Sequence, residues 1–195
     1  LGVPGPPGRA GGAGATDTAD FSVNFTTLLS DYGADEAGSV STGYALGIDT
    51  SNPTGLVDTL SGEAVVLSMN AGAVEGRTAS GGQLVFTASV DPTGNVTLTQ
   101  LRAVVHTPDA GPDQPTTLAS SNLVTLTRTD TITDADGDTS SDSAALAIGT
   151  ALTFEDDGPA IDIDTVGEPS ALIVDETFLG GAGATDTADF SVNFT

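Results

Sequence analysis

The chain has no cysteine, no tryptophan and no lysine, and it has one histidine. Without cysteine there are no disulfide staples, thiolate metal sites or thiol nucleophiles. With His106 as the only imidazole, a Ser-His-Asp triad would have to be built on that residue, and a strand end beside the proline-rich 107–117 stretch reads as a surface position. No tryptophan and two tyrosines leave few aromatic platforms for sugars or bases. Four arginines (Arg9, Arg77, Arg102, Arg128) face 27 acidic residues, for a formal net charge of −23. No basic face can form to neutralise phosphates, so nucleic acid and anionic membranes are not expected partners. No apolar run approaches the 18 residues of a membrane span, so direct membrane insertion is not expected.

What is present is aspartate, 21 against 6 glutamates, with 25 glycines and 10 prolines. Aspartate and glycine favour turns and oxygen-rich metal loops over helix interiors. Hydrophobic residues make up 38% of the 195, too many for a disordered acidic chain. Two carboxylates ~7 Å apart repel by roughly 0.6 kcal/mol even in bulk water, and a bound divalent cation removes that penalty locally.

Gly11–Thr26 reads GGAGATDTADFSVNFT, and Gly180–Thr195 repeats it residue for residue. Such identity marks a tandem array. The expected organisation is a Gly/Pro-rich leader or foreign remnant over 1–11, a repeat unit over 12–159, an acidic linker over 160–170 and the start of the next copy over 171–195. One sandwich has room for one copy of the duplicated strand, and the first is expected to fill it.

Between the copies the pattern has period two. Phe21–Phe25 alternates. Leu84, Phe86, Ala88 and Val90 share one face, and Asp91–Asn95 supplies a turn. Val96 and Leu98 point inward, and the phase then shifts to Leu101, Ala103 and Val105, as at a bulge near Gln100. Ala64–Met69, Leu123–Thr133, Ala144–Ile148 and Leu152–Phe154 add further strands. The expected fold is all-β, an antiparallel β-sandwich, Ig-like or related. Alternating threonines from Thr125 to Thr133 read as a strand's solvent face.

Two acidic motifs carry chemistry. In Thr133-Asp-Ala-Asp-Gly-Asp138, carboxylates at Asp134, Asp136 and Asp138 flank a turn glycine, as a Ca²⁺ ion with six to eight oxygen ligands requires. Asp142 or Asp130 could complete the shell. In Glu155-Asp-Asp-Gly-Pro159, Asp156 and Asp157 close one unit, and Asp162, Asp164, Asp175 and Glu176 lie at the opening of the next. A cation between the two groups would stiffen the joint. The expected metal residues are therefore Asp134, Asp136, Asp138, Asp156, Asp157, Asp175 and Glu176, with Ca²⁺ as cofactor and no catalytic residues.

The runs ATDTADFSVNF, DYGADEAGSVSTGYALGI, GLVDTLSGEAVVL, EGRTASGGQLVFTASVD, NVTLTQLRAVVH, TDADGDTSS and FEDDGP resemble the tandem repeats of giant repeats-in-toxin-type adhesins, exported by type I systems of Gram-negative bacteria. The resemblance spans about Gly12 to Pro159 and restarts at Ala171–Glu176. It implies a non-enzymatic, Ca²⁺-stabilised extender repeat, secreted to the cell surface, whose partners are neighbouring repeats and calcium ions. On this reading Asp134, Asp136 and Asp138 match the family's loop block, and Asp156 and Asp157 its closing block. The ligand of the whole adhesin is not legible. The alternative is a module that itself contacts glycan, ice or another surface.

Overall fold

The computed structural model describes residues 14–28, 30–108, 114–157, 161–174 and 185–194. Contacts divide the chain into two units, residues 1–157 and 158–195.

The first unit is an antiparallel β-sandwich. Among the described residues its strands are β1 Ala15–Asp20, β2 Ala37–Ile48, β3 Val65–Asn70, β4 Ala73–Thr78, β5 Leu84–Val90, β6 Asn95–Gln100, β7 Pro115–Thr117, β8 Val124–Asp134, β9 Thr139–Ala147 and β10 Thr153–Glu155. One sheet has the order β1-β6-β5-β4-β3, a second β2-β8-β9, and β7 pairs with β10 in a short ribbon. Alternation decides which side each residue takes. Val65, Leu67, Val74, Phe86, Ala88 and Val96 of the large sheet join Leu46, Val124 and Leu126 of the small one in a single core. The ribbon brings Phe154 against Phe86, ring centroids 5.0 Å apart. Gly76 sits opposite Phe86, and its missing side chain makes room for that ring.

The Asp91–Asn95 turn links β5 to β6. Asp91 Oδ1 accepts from the backbone N–H of Thr93 and Asn95, and Gly94 takes φ +89°. The Asn95 side-chain amide, donating to Asp91 Oδ2, and then the Thr93 hydroxyl hold the Asp91 carboxyl well below the usual range, with the Asn95 backbone N–H adding to them.

The structure corrects two expectations. Phe21–Phe25 is no strand: Ser22–Asn24 is a 3-10 turn, and the strand lies one step earlier, at Ala15–Asp20. Asp20 Oδ1 accepts from Ser22 N–H at 2.8 Å and bends the chain there. Phe21 and Phe25 are then carried onto the core edge, Phe25 meeting Tyr44 edge-on. After Gln100 the inward residue is Val104, whereas Leu101, Ala103 and Val105 are exposed. The N–H groups of Leu101 and Arg102 both donate to Val85 O, and this doubled contact resets the alternation.

Each described arginine is held by a carboxylate: Arg77 by Glu75, Arg102 by Asp58 and Arg128 by Asp130.

In the second unit, the described residues include one isolated antiparallel bridge, Thr165–Phe194, and a 3-10 turn at Ser191–Asn193. Ile161, Ile163, Leu172, Ile173, Val174, Val192 and Phe194 are exposed.

Candidate cation site

The β2-β8-β9 sheet outruns the core. Near its base Leu46, Val124 and Leu126 are buried, but residues 37–43 of β2 and 139–145 of β9 are exposed. At ~3.3 Å per residue, the end of β8 at Asp134 stands about 26 Å beyond Leu126. This distal arm has a hydrogen-bonded ladder and little apolar burial to hold it.

What does hold it is polar. Arg128 and Asp130 lie on the face of β8 that carries Val124 and Leu126 nearer the base. Arg128 donates from Nε and Nη2 to the two Asp130 oxygens, at 2.9 and 2.6 Å. Thr27 and Thr42 hydroxyls donate to the same carboxylate. The Arg128 guanidinium is the main reason that Asp130 is held down to about 2, the threonine hydroxyls adding to it. Asp130 is thus engaged as an internal counter-ion and is not among the carboxylates that converge at the tip. A cleft of about 460 Å³ lies beside this pair, lined in part by Phe25, Leu28 and Asp142.

At the tip, Asp134–Asp138 forms the β8–β9 turn, with Gly137 at φ +105°. Asp134 Oδ1 accepts from the N–H of Gly137 (2.9 Å) and of Asp138 (2.7 Å). The Asp134 carboxyl lies below its ordinary range, first because of the Asp136 carboxyl hydrogen-bonded to it and then because of the backbone N–H groups of Asp138, Gly137 and Asp136.

The strand pairing delivers a third carboxylate. Ala37 of β2 pairs with Asp134, so the residues before β2 pass alongside the turn. Gly38 allows the close approach, since a Cβ there would collide with the backbone oxygens of Thr133 and Asp134. Glu36 takes φ +67°, and its carbonyl accepts from Ala135 N–H at 3.3 Å. Carboxylate oxygens of Asp35, Asp134 and Asp136 consequently all lie within 4.8 Å of one another. Oxygens bound to one Ca²⁺ at 2.3–2.6 Å can stand at most about 5 Å apart, so the three fit a single ion, with other ligands from backbone or solvent. Asp35 and Asp136 are exposed and Asp134 half-buried.

Of the expected ligands, Asp134 and Asp136 converge. Asp138 contributes its N–H to the turn, and its carboxylate is not in the trio. Asp142 lies along β9 and accepts from Ser143 N–H. Asp156 and Asp157 follow β10 and line a different hollow, of about 350 Å³, with His106 and Glu155. Among the described residues, that hollow brings no three ligand atoms together as the tip does. Asp175 and Glu176 lie outside the described residues. Asp35 escaped the sequence reading because it is 99 positions from Asp134. The acidic Asp31–Glu36 run before a strand was its only local signal.

Residues 10–147, most of the chain, match the family model described as Domain of unknown function (DUF5801). No curated protein and no solved structure matches the chain.

Proposed function

We propose that this chain, which belongs to the DUF5801 family, is a non-catalytic, Ca²⁺-stabilised structural repeat of a bacterial cell-surface adhesin. The observation that carries this reading is the convergence of Asp35, Asp134 and Asp136 at the tip of an arm with little hydrophobic support. An ion there ties the segment before β2 to the β8–β9 turn and offsets repulsion within a chain of net charge −23. The internal recurrence of Gly11–Thr26 supports the tandem-repeat part, and the resemblance of the sequence blocks to exported adhesins supports the setting. In the cytosol, where free Ca²⁺ is scarce, such a chain stays loosely folded and exportable. Outside, millimolar Ca²⁺ matches the ~10⁻⁴–10⁻³ M affinities of extracellular modules and completes the fold.

Thermal unfolding in Ca²⁺, in Mg²⁺ and in chelator tests the reading. Ca²⁺ should raise the Tm while Mg²⁺, which demands a tighter octahedron, should not. One site filled at one hundred times Kd adds ~2.7 kcal/mol. Identical melts in Ca²⁺ and chelator would overturn it.

A further inference from the structure

The two identical segments meet different fates. In the first, Ala15–Asp20 forms β1, among the described residues hydrogen-bonded to β6 alone, with all six residues exposed. Its register pairs Thr16 with Thr99, Thr18 with Thr97 and Asp20 with Asn95. The hydroxyls of Thr18 and Thr97 lie 2.9 Å apart, and those of Thr16 and Thr99 3.2 Å. In the second, Thr185–Asp189 forms no strand, while Phe190, Val192 and Phe194 are 37%, 67% and 58% exposed. Both nevertheless make the same 3-10 turn, and Asp189 caps Ser191 N–H at 2.8 Å as Asp20 caps Ser22.

We propose that the β6 edge has a second occupant: the Thr185–Phe194 segment of another molecule of this chain, which takes the place of β1 in the same register. Everything β6 recognises in β1 recurs there. Thr185 stands opposite Thr99 and Thr187 opposite Thr97, and the Asp189 cap aims Phe190 and Phe194 at the sites of Phe21 and Phe25. A strand with one neighbour and exposed side chains opens at low free-energy cost, and an unpaired edge templates the next strand that reaches it. The contacts exchanged at β6 are the same and cancel, while the incoming segment gives up its bridge to Thr165 and the Asn193 hydrogen bonds to Val166 and Glu168. That loss, together with chain concentration against the effective concentration of the resident strand, on the order of millimolar for a short tether, sets the occupancy.

The absence of cysteine makes the test direct. Full-length chains carrying Thr97→Cys are mixed with chains carrying Thr187→Cys and oxidised across a concentration series. The mixed disulfide is quantified by mass spectrometry. An out-of-register mixture pairs Thr97→Cys with Asp186→Cys, and Thr18→Cys/Thr97→Cys within one chain shows that the site closes. The 97–187 product should exceed the 97–186 product and rise about tenfold per tenfold concentration below the millimolar range. Equal yields of the two mixed products at every concentration, with the single-chain control closed, would overturn the proposal.

Discussion

Asp58 and Arg102, 44 residues apart, form a two-pronged ion pair in which the carboxylate is fully buried. Arg102 Nε and Nη2 donate at 2.7 and 2.8 Å, and Ser61 adds its N–H and hydroxyl to Asp58 Oδ2. The pair joins the loop before β3 to the chain leaving β6, where Asp58 also bridges Val104. Arg102→Leu strands a buried charge and should cost about 3–5 kcal/mol in denaturant unfolding. A double change, Asp58→Asn with Arg102→Leu, should cost less than Arg102→Leu alone. The reverse order would show that Asp58 is not left as a stranded charge when Arg102 is lost.

The same carboxylates set the acid limit. Arg102 holds the Asp58 carboxyl far below its ordinary value, and Arg128 holds Asp130 at about 2. Both folded values lie below the ~3.9 of a free aspartate, so their stabilisation is complete above that pH. It is lost as pH falls through the folded values. Unfolding free energy should therefore decline steeply below pH ~4, and Asp58→Asn should flatten the decline. A parallel curve for the variant would exclude Asp58 as a source of the acid sensitivity.

Gly76→Ala should be among the more damaging single-methyl additions to the chain. The new Cβ would stand within the Phe86 ring, which is itself fully buried against Phe154. Overpacking of this kind costs about 1–3 kcal/mol. A melt within error of the parent would mean that the Phe86–Phe154 pair can slide aside.

Asp35→Asn distinguishes a specific ion site from bulk charge. Losing one of three charged ligands should weaken Ca²⁺ binding roughly tenfold by calorimetry. Glu168→Gln removes the same charge from an exposed position of the second unit and should leave the affinity unchanged. Equal losses would reduce the effect to net charge.

Strands whose signal is local were readable from sequence. Leu84–Val90 alternates cleanly, and Asp91-Pro-Thr-Gly-Asn95 carries its own turn chemistry, so β5, the turn and β6 fall where expected. Phe21–Phe25 alternates too, yet the Asp20 cap outweighs a pattern only five residues long. Val104 replaced Leu101 and Val105 in the core because a doubled hydrogen bond to Val85, contributed by another strand, reset the phase. At the tip, the Asp134–Asp136 half of the trio was visible as a motif. Asp35 depends on the β2–β8 register, with only the acidic Asp31–Glu36 run to hint at it locally, and the Asp58–Arg102 pair depends on two loops meeting, which leaves no trace in neighbouring residues.

The three engaged arginines have a practical consequence for handling the protein. Trypsin cuts only after a lysine or arginine that it can draw into its own acidic pocket. The chain has no lysine, and Arg77, Arg102 and Arg128 are each already clasped by a carboxylate on a strand or beside one. Arg77 and Arg128 also sit on strands paired on both sides, and Arg102 N–H is bonded to Val85 O, so cleavage at these three positions waits on the sandwich opening. Limited proteolysis at 77, 102 and 128 becomes a clock for unfolding, and its rate with and without added cations reads stability without heat or denaturant.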